Sequence, residues 1–460
     1  MMKNQSENIN AFEAFVQRVM ETEAAVGLAV SIVSADGTVL YEKCFGQRDR
    51  EAGLPMDGDT LMGIASITKS FTALAVMQLY ERGAIDIVQP VQKYIPGFEY
   101  RNITVQQLLS HIAGFYPMPR QSVAAVAQKA GLAAGEDPYH SVKVAELGLA
   151  DLLESFNAQT AFTGRPGENF SYSNDSFALL SEIVRLYGGE ATFAQYVEKN
   201  ILAPLEMTDS GVRLVWQGDH VSKLYQMRGG EMAGDWTMLD DQGPHAGAGG
   251  LKSTLSDMKK YALMYLNHGK SIKGTRILSV YGIREMQRPR VECELNGYYG
   301  YGLCTKAVKA MTVSGHGGDQ PGVAAHLDWS YESGIAVIVL CNTAQVTVSA
   351  IADMAMRLAS GYGENTSSEG LEPVEWSDEM MESVCGDYRS GEGTAVTVTK
   401  DGHGFRVSLD GAETTAFPIN RHMLRVRRLV EDMLVDVYCD DSGKVYALGG
   451  GYRMIPKIKD

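Results

Sequence analysis

The pattern of apolar and polar positions divides the chain into a helical stretch enclosed by two groups of strands. Apolar residues from Ile9 to Met20 recur at helical spacing, and residues 26–33 and 39–45 flank an Asp-Gly turn and predict a β-hairpin. Helical patterns then cover 67–82, 104–111, 144–157, 176–187 and 191–201. Strand patterns follow at 300–303, 311–314, 323–329 and 334–341, before a last helical pattern at 346–358. Since the hairpin and the later strands lie on either side of the helices in sequence, we expect them to join in one largely antiparallel sheet.

The other segments are less regular. Residues 116–138 contain many Gly, Ala and Pro residues, which favours an insertion or lid over a core element. Residues 363–376 are polar and rich in Gly and Ser, which is typical of a linker. Beyond it, short strand patterns alternate with turn signals at 393–400, 404–409, 424–429, 433–439 and 445–449. The sequence therefore predicts a first domain over 1–362 and a small antiparallel β-barrel or sandwich over 377–460.

Composition and charge exclude several classes of function. The 460 residues are 45% hydrophobic and 21% charged, which is ordinary for a globular protein of two or three domains. A net charge of −15 argues against nucleic acid and against anionic membranes as partners. Neither a signal peptide nor a membrane span is recognisable, so we expect a cytoplasmic protein with reduced thiols at its six cysteines, Cys44, Cys293, Cys304, Cys341, Cys385 and Cys439. The oligomeric state stays open.

Two segments have the spacing Ser-x-x-Lys, namely Ser66–Lys69 and Ser256–Lys259. In a helix this spacing brings the lysine amine near the serine hydroxyl. The hydroxyl is a weak nucleophile until a base takes its proton, and lysine is such a base only when burial or a neighbouring cation lowers its pKa. Small and apolar residues surround Ser66, so we expect it to lie buried at a helix N-terminus, with its N–H free for an oxyanion. For Ser256 and Lys259 the simpler interpretation is a helix cap and a solvated surface charge.

Two further patterns offer groups that an acylated serine needs. Tyr172-Ser173-Asn174 supplies a phenol for proton transfer and an amide to orient the lysine and a substrate carbonyl. In His316-Gly317-Gly318 the glycines allow close approach of a substrate, and the N–H of Asp319 is a candidate oxyanion donor. Neither spacing is specific by itself, because similar ones occur at Tyr100–Asn102, Tyr265–Asn267 and His245–Gly247.

Taken together and in this order, the three motifs resemble those of the β-lactamase-related serine hydrolases. That superfamily includes class C β-lactamases, penicillin-binding proteins and D-aminopeptidases. Flanking segments are similar too, at 108–111, 166–174, 202–210, 247–257 and 299–303. The likeness covers residues 8–360 approximately, and the joint order of the motifs favours Ser66 over Ser256 as the nucleophile.

The resemblance implies an α+β fold in which a five-stranded antiparallel sheet, with helices on both faces, lies beside an all-helical subdomain. Several relatives also carry a C-terminal β-barrel of lipocalin-like form. In the implied active site Ser66 is the nucleophile, Lys69 and Tyr172 share general acid–base duty, and which of them is the base stays open. Asn174 orients the substrate, and the amides of Ser66 and Asp319 form the oxyanion hole beside the third motif. No metal or cofactor is implied.

The third motif departs from the Lys-Thr-Gly of many penicillin-recognising enzymes, whose lysine helps to attract a substrate carboxylate. His316 stands in its place and is mostly neutral near pH 7. We therefore expect an acyl-enzyme hydrolase of a small amide, peptide (possibly containing a D-residue) or ester. A promiscuous esterase or weak β-lactamase on the same fold, and a binding module without turnover, are the alternatives. The sequence contains no H-E-x-x-H or G-x-S-x-G motif, which disfavours a zinc hydrolase and an α/β-hydrolase.

Overall fold

The computed structural model describes residues 2–214, 216, 220–226, 232–234, 245–363 and 371–458. The α-helices in these ranges are α1 Met2–Thr22, α2 Thr68–Glu81, α3 Val105–Leu109, α4 Val123–Ala130, α5 Val142–Asn157, α6 Asn174–Tyr187, α7 Phe193–Val197, α8 Leu255–Leu266, α9 Val280–Gln287, α10 Val348–Ala359 and α11 Asp378–Val384. A short 3-10 turn, Ala65–Ile67, leads directly into α2.

The strands fall into a first group before residue 345 and a second group after residue 385. The first group is β1 Gly27–Ser34, β2 Val39–Asp49, β3 Leu54–Pro55, β4 Met62–Gly63, β5 Gly211–Val212, β6 Leu224–Gln226, β7 Met232–Gly234, β8 Leu251–Ser253, β9 Val291–Glu294, β10 Gly297–Tyr299, β11 Cys304–Val308, β12 Met311–Gln320, β13 Val323–Ser330, β14 Ile335–Cys341 and β15 Thr343–Ala344. The second group is β16 Gly386–Arg389, β17 Ala395–Asp401, β18 Gly404–Leu409, β19 Ala412–Pro418, β20 Met423–Val426, β21 Met433–Cys439, β22 Val445–Gly450 and β23 Arg453–Pro456.

The predicted antiparallel sheet is confirmed. Its central strands follow the order β2-β1-β14-β13-β12, and short strands at both edges extend it to nine, with β3 at one end and β11-β10-β9 at the other. The N-terminal hairpin joins the later strands through β1, which pairs with β14 from Leu28↔Cys341 to Ser34↔Ile335. Two strands more than 300 residues apart in sequence are thus neighbours in the sheet, as the pattern predicted.

The strand β14 shows why helices cover both faces of the sheet. All of its residues are apolar and buried. Successive side chains of a strand point to opposite faces, so one core receives Ala336, Ile338 and Leu340, and the other receives Val337, Val339 and Cys341. Helix α8 packs on the first face, and α10, backed by α1, packs on the second.

Helix α2 connects the sheet to the helical part of the fold. It is buried along almost its whole length, including Phe71, Leu74 and Met77, and it packs against α6. The 3-10 turn that precedes it lies against β12 and β13. The N-terminus of α2 therefore lies between the sheet and the helices, which is where the resemblance placed the active site.

The second group of strands forms an eight-stranded antiparallel sheet in chain order, from β16 to β23. A bridge between Tyr388 and Lys457 joins its first and last strands, so the sheet is a nearly closed barrel, called the C-terminal barrel below. Its interior is filled by apolar side chains such as Val398, Phe405 and Val437. The predicted β-barrel is confirmed. Of the predicted linker 363–376, residues 364–370 lie outside the described residues.

Some local predictions are wrong. Residues 300–303 form a turn between β10 and β11, because Gly302 adopts a φ of +66° and passes close to the backbone of Lys69. The His316-Gly317-Gly318 motif lies inside β12 and not between two strands. Segment 116–138 contains α4 and buries Met118 and Val123 in the main core, so it is not a lid outside the core. Three barrel strands, β16, β19 and β23, were not predicted.

Candidate active site

Ser66 lies in the 3-10 turn that precedes α2. Its neighbours Ala65 and Ile67 are buried, whereas Ser66 is half-buried. Ser66 is thus less enclosed than the sequence predicted. Ala65 has a φ of 43°, a conformation that costs an alanine about 1 kcal/mol and that is concentrated at functional sites. The turn is braced by the segment 247–251, since the N–H of Leu251 donates to Thr68 Oγ1 at 3.1 Å. A strained, braced turn thus holds the Ser66 hydroxyl at the surface of the core.

Lys69 is completely buried, and three oxygens surround its amine. Its Nζ lies 3.1 Å from Ser66 Oγ, 2.8 Å from Asn174 Oδ1 and 2.7 Å from the carbonyl oxygen of Ala248. Burial lowers the pKa of Lys69 well below its usual value, and the positive charge of Arg453 lowers this pKa further. In the neutral form, the two N–H groups donate to the amide and carbonyl oxygens, which only accept. The lone pair then faces Ser66, so the geometry suits a base.

Tyr172 faces the same amine from the other side. The Nζ of Lys69 lies 4.6 Å from the centroid of the Tyr172 ring, and the ring is 4% exposed. Within the described ranges the phenolic oxygen has no well-formed hydrogen bond, and burial raises its pKa, an effect that the nearby Ser66 hydroxyl partly offsets. A buried tyrosine hydroxyl usually has a partner. The hydroxyl is therefore available to a reacting atom bound next to Ser66.

Asn174 begins α6, where Ser173 is the helix cap and accepts from the N–H of Ser176. Its Oδ1 accepts from Lys69, and its Nδ2 donates to Glu392 Oε1 at 2.9 Å. Glu392 belongs to the turn between β16 and β17 of the C-terminal barrel. A carboxylate only accepts hydrogen bonds, so it fixes which end of the amide faces Lys69.

His316 forms part of a buried chain of rings with Tyr299 and His111. His111 Nδ1 accepts from the N–H of Ser173 at 3.1 Å, so its Nε2–H is left to donate to the Tyr299 oxygen at 3.2 Å. Tyr299 donates in turn to His316 Nε2 at 2.9 Å. Burial lowers the pKa of His316 to about 3 and that of His111 well below its usual value. Both imidazoles are neutral, so the third motif carries no positive charge.

Gly318 brings β12 against the Ser66 turn. A Cβ built on Gly318 would lie 2.3 Å from the carbonyl oxygen of Ile64 and 3.1 Å from the Ser66 nitrogen. No side chain fits in that space, which explains why a glycine stands at this point in a strand. The third motif thus reaches the nucleophile through its backbone, which is the approach that an oxyanion hole made from the amides of Ser66 and Asp319 requires.

The C-terminal barrel supplies a second charged residue to the site. The guanidinium of Arg453 lies 5.1 Å from the centroid of the Tyr172 ring, and its Nε donates to Glu392 Oε2 at 2.5 Å. Beside it, the carbonyl oxygen of Tyr452 accepts from the N–H of Tyr172 at 2.9 Å. This contact was not predicted, because nothing in a β-barrel pattern shows which of its turns meets another part of the chain.

The predicted residues come together, and the alternative matches do not join them. Ser66, Lys69, Tyr172, Asn174 and Gly318 meet at the N-terminus of α2, with His316 behind them. Among the alternatives, His245 pairs with Glu182, and Tyr265 bonds Tyr261 and stacks on Trp329. Sequence reasoning missed the Ala248 carbonyl, Glu392 and Arg453. Ala248 lies in segment 247–257, and the similarity of this segment to the family is the signal that could have pointed to it.

The arrangement of the described residues also bears on metal sites and on membrane-spanning helices. Within the described ranges, no group of three or more His, Cys, Asp and Glu side chains is arranged to hold a metal ion. In the same ranges, no helix combines the length and the apolar character that crossing a bilayer requires.

Comparison with known proteins identifies the family. The profile of the Beta-lactamase family matches residues 12–360. Esterase EstB of Burkholderia gladioli is 31% identical over 206 residues, which cover 43% of this chain and 50% of the esterase. Penicillin-binding protein 4* of Bacillus subtilis (strain 168) is 26% identical over 181 residues, or 39% of this chain and 37% of that protein. The chain thus matches half or less of the length of these two relatives.

Solved structures are similar over almost the whole chain, including the C-terminal barrel. The octameric penicillin-binding protein homologue from Pyrococcus abyssi has a TM-score of 0.66 and 26% identity, and the match covers 98% of this chain and 100% of that one. SurE has a TM-score of 0.70 over 99% of this chain and 100% of its own, and its 19% identity shows the fold alone. Since the family profile spans most of the sequence, this chain belongs to the Beta-lactamase family, whose fold is that of serine hydrolases such as esterases and penicillin-binding proteins.

Proposed function

We propose that this chain hydrolyses a small amide, peptide or ester through an acyl-enzyme on Ser66. The observation that carries the proposal is the buried amine of Lys69, 3.1 Å from Ser66 Oγ and held by two acceptor oxygens. A buried amine with only neutral hydrogen-bond partners is costly as an ammonium ion. Its neutral form is a base with a lone pair directed at the serine hydroxyl, which is the condition for nucleophilic catalysis.

The acylation step follows from this arrangement. Ser66 Oγ attacks the substrate carbonyl carbon while its proton passes to Lys69 Nζ. The carbonyl oxygen becomes an oxyanion, which the N–H groups of Ser66 and Asp319 stabilise. Tyr172, whose raised pKa keeps it protonated, donates its proton to the leaving amine or alkoxide, and it is reprotonated from Lys69. The products of this step are an ester on Ser66 and the free leaving group.

Deacylation reverses the roles. Water attacks the acyl carbon, its proton passes to the Tyr172 and Lys69 pair, and Ser66 leaves with a proton returned to its oxygen. The same two groups serve as base in one half and as acid in the other. The Lys69 amine lies 4.6 Å from the centroid of the Tyr172 ring and 3.1 Å from Ser66 Oγ, so both groups border the space beside Ser66 where protons are exchanged.

The substrate class follows from the charge at the third motif. A neutral His316 gives no ammonium to attract a carboxylate at that point, which supports small amides, peptides and esters over a dedicated β-lactamase or D,D-carboxypeptidase. A second candidate is a promiscuous esterase, favoured by the 31% identity to Esterase EstB. Comparing turnover of p-nitrophenyl esters, nitrocefin and D-aminoacyl amides separates the two candidates.

The direct test is intact-mass spectrometry after incubation with a fluorophosphonate probe. We expect one adduct on the parent, none on Ser66→Ala, and a normal adduct on the matched variant Ser256→Ala. Turnover of a p-nitrophenyl ester should fall at least about 10³-fold in Ser66→Ala and change less than twofold in Ser256→Ala. A folded parent that takes no adduct and turns over none of the three substrates would leave the binding-module alternative in place.

A further inference from the structure

Two charged side chains of the C-terminal barrel reach the site that is built by residues 66–319. We propose that Glu392 is a positioning residue of the active site, fixing the amide of Asn174, and that Arg453 holds Glu392 there and completes the electrostatics around Lys69. This inference rests on the proposed function for its catalytic meaning, but its geometric part does not depend on turnover. It gives the C-terminal barrel a part in positioning the catalytic residues.

The hydrogen-bond partners of the Glu392 side chain are two donors. Glu392 accepts from Asn174 Nδ2 through Oε1 at 2.9 Å and from Arg453 Nε through Oε2 at 2.5 Å. Both partners donate, so both oxygens of the side chain must be acceptors, which a carboxylate provides and a carboxamide does not. With Nδ2 committed to Glu392, Asn174 presents Oδ1 to Lys69. The orientation of the amide is therefore set from the barrel.

The consequence reaches the nucleophile. Since Asn174 Oδ1 and the Ala248 carbonyl take the two N–H groups of a neutral Lys69, the remaining lone pair faces Ser66. If the Asn174 amide turned over, it would offer an N–H to the amine, and the lone pair would turn away from Ser66. Glu392 thus acts through Asn174 and Lys69 on Ser66 without touching the reacting atoms.

The charges around Lys69 come from several elements. Arg453 and Arg120 lower the pKa of Lys69, while Glu392 and Asp175 raise it, in addition to the dominant effect of burial. Asp175 follows Asn174 at the start of α6, and burial together with Glu392 raises its pKa to about 7. The nearby rings of Tyr172, His111 and His316 are neutral. The two barrel residues therefore act on Lys69 in opposite directions.

Close backbone contacts hold the two barrel turns that carry Glu392 and Arg453 against the active site. Gly391, next to Glu392, lies so close to segment 116–138 that a Cβ would be 2.2 Å from the carbonyl oxygen of Pro117. On the other side, Tyr452 accepts from the N–H of Tyr172 and donates to Glu294 Oε2 at 2.8 Å. Glu392 is 4% and Arg453 25% exposed at the side chain. Two turns of the barrel are thus packed against the residues that they position.

The test measures the rate of Ser66 labelling by the fluorophosphonate as a function of pH in Glu392→Gln and Arg453→Gln. We expect the labelling rate of each variant, measured at the pH where that variant is fastest, to be about tenfold or more below that of the parent. The acid limb of the profile, which is the fall in labelling rate towards low pH, should move in opposite directions in the two variants. Loss of the carboxylate moves the limb to lower pH and loss of the guanidinium moves it to higher pH, each by about half to one pH unit. Arg453→Lys keeps the charge and should keep the limb. Lys400→Gln, which removes a cation paired with Asp378 on the barrel surface, is the matched control.

A second readout separates this inference from the proposed function. The titration of Lys69, followed by NMR of ¹³C-labelled lysine side chains and assigned with Lys69→Arg, reports the same opposite shifts without any reaction. An Asp175→Asn background removes the carboxyl group that titrates near neutrality. If both folded variants have the same acid limb of the labelling profile and the same Lys69 titration as the parent, the inference is overturned, even if Ser66 is labelled normally. If the Lys69 pKa shifts in opposite directions in the two variants while the parent takes no label, the inference stands and the proposed function is overturned.

Discussion

The chain contains the spacing Ser-x-x-Lys twice, at 66–69 and at 256–259, and the two segments share their place near the start of a helix but differ in burial and in hydrogen-bond partners. Each serine lies within two residues of the start of its helix. Lys69 is fully buried with Ser66 Oγ 3.1 Å from its amine. Lys259 instead pairs with Glu42 at 2.6 Å, and Ser256 donates to Asp59 at 2.6 Å. The spacing by itself therefore does not make a reactive pair, because the surrounding groups decide which protonation state each side chain holds.

The partners make the difference. Around Lys259 and Ser256 the structure places carboxylates, which attract an ammonium ion and take the serine proton as a hydrogen bond. Around Lys69 the close partners are an amide oxygen, a peptide carbonyl and the serine itself. A neutral amine suits these partners in a buried site, and an ammonium ion does not. Matched substitutions in the 66–69 and 256–259 segments therefore test whether the surrounding groups make the difference in reactivity.

The largest difference is expected between Lys69→Met and Lys259→Met. The first removes the base and should lower kcat/KM for a p-nitrophenyl ester by about 10²- to 10⁴-fold. The second removes one ion pair near the surface and should change kcat/KM less than twofold, with a stability cost of about 0–1 kcal/mol. Steady-state kinetics on both purified variants, with circular dichroism to verify folding, measures this. Similar rates for the two variants would remove Lys69 from the mechanism.

The tyrosines allow a second matched pair. Tyr172→Phe removes the buried hydroxyl that faces Ser66 and should lower kcat by about 10²-fold for an amide substrate, whose leaving group needs a proton more than that of an activated ester. Tyr265→Phe removes a hydroxyl that bonds Tyr261 at 3.1 Å, far from chemistry in the proposal. It should cost about 1 kcal/mol of unfolding free energy and leave kcat within twofold. A Tyr172→Phe variant that keeps full amide turnover would contradict the role as proton donor.

The sequence predicted the sheet, most helices and the barrel because each rests on local periodicity. It also placed Ser66, Lys69, Tyr172 and Asn174, since three motifs in order are far more specific than each motif by itself. It did not predict Glu392 or Arg453, because the contact of a barrel turn with α6 depends on how two parts of the chain that are distant in sequence pack together. The predicted strand at 311–314 ended before Gly317 and Gly318 for a similar reason. Gly318 lets the backbone of Ile64 approach β12 closely, and this is a tertiary contact that local periodicity does not show.

The pH profile gives a third contrast. Since burial and Arg453 lower the pKa of Lys69, the fraction of neutral amine rises with pH through a value well below that of an exposed lysine, about 10.4. The parent should therefore lose activity tenfold per pH unit below that value. Lys259→Met should leave this limb in place. His316→Gln should change the rate but not the position of the limb, because a pKa of about 3 keeps His316 neutral throughout. A limb that disappears in His316→Gln would show that the imidazole titrates in the profile.

The smallest predicted effect concerns how the two helices begin. The expectation that Ser256 caps α8 is wrong, because Thr254 is the cap and its Oγ1 accepts from the N–H of Asp257 at 3.1 Å. Thr254→Ala should lower the unfolding free energy by about 1 kcal/mol, and Ser256→Ala by less than about 0.5 kcal/mol. The midpoints of urea denaturation at equal slope compare the two, and an equal loss would return the capping role to Ser256. At α2 no side chain caps the first turn. The Ser66 hydroxyl is therefore not needed to stabilise its helix, and it is left to the amine of Lys69.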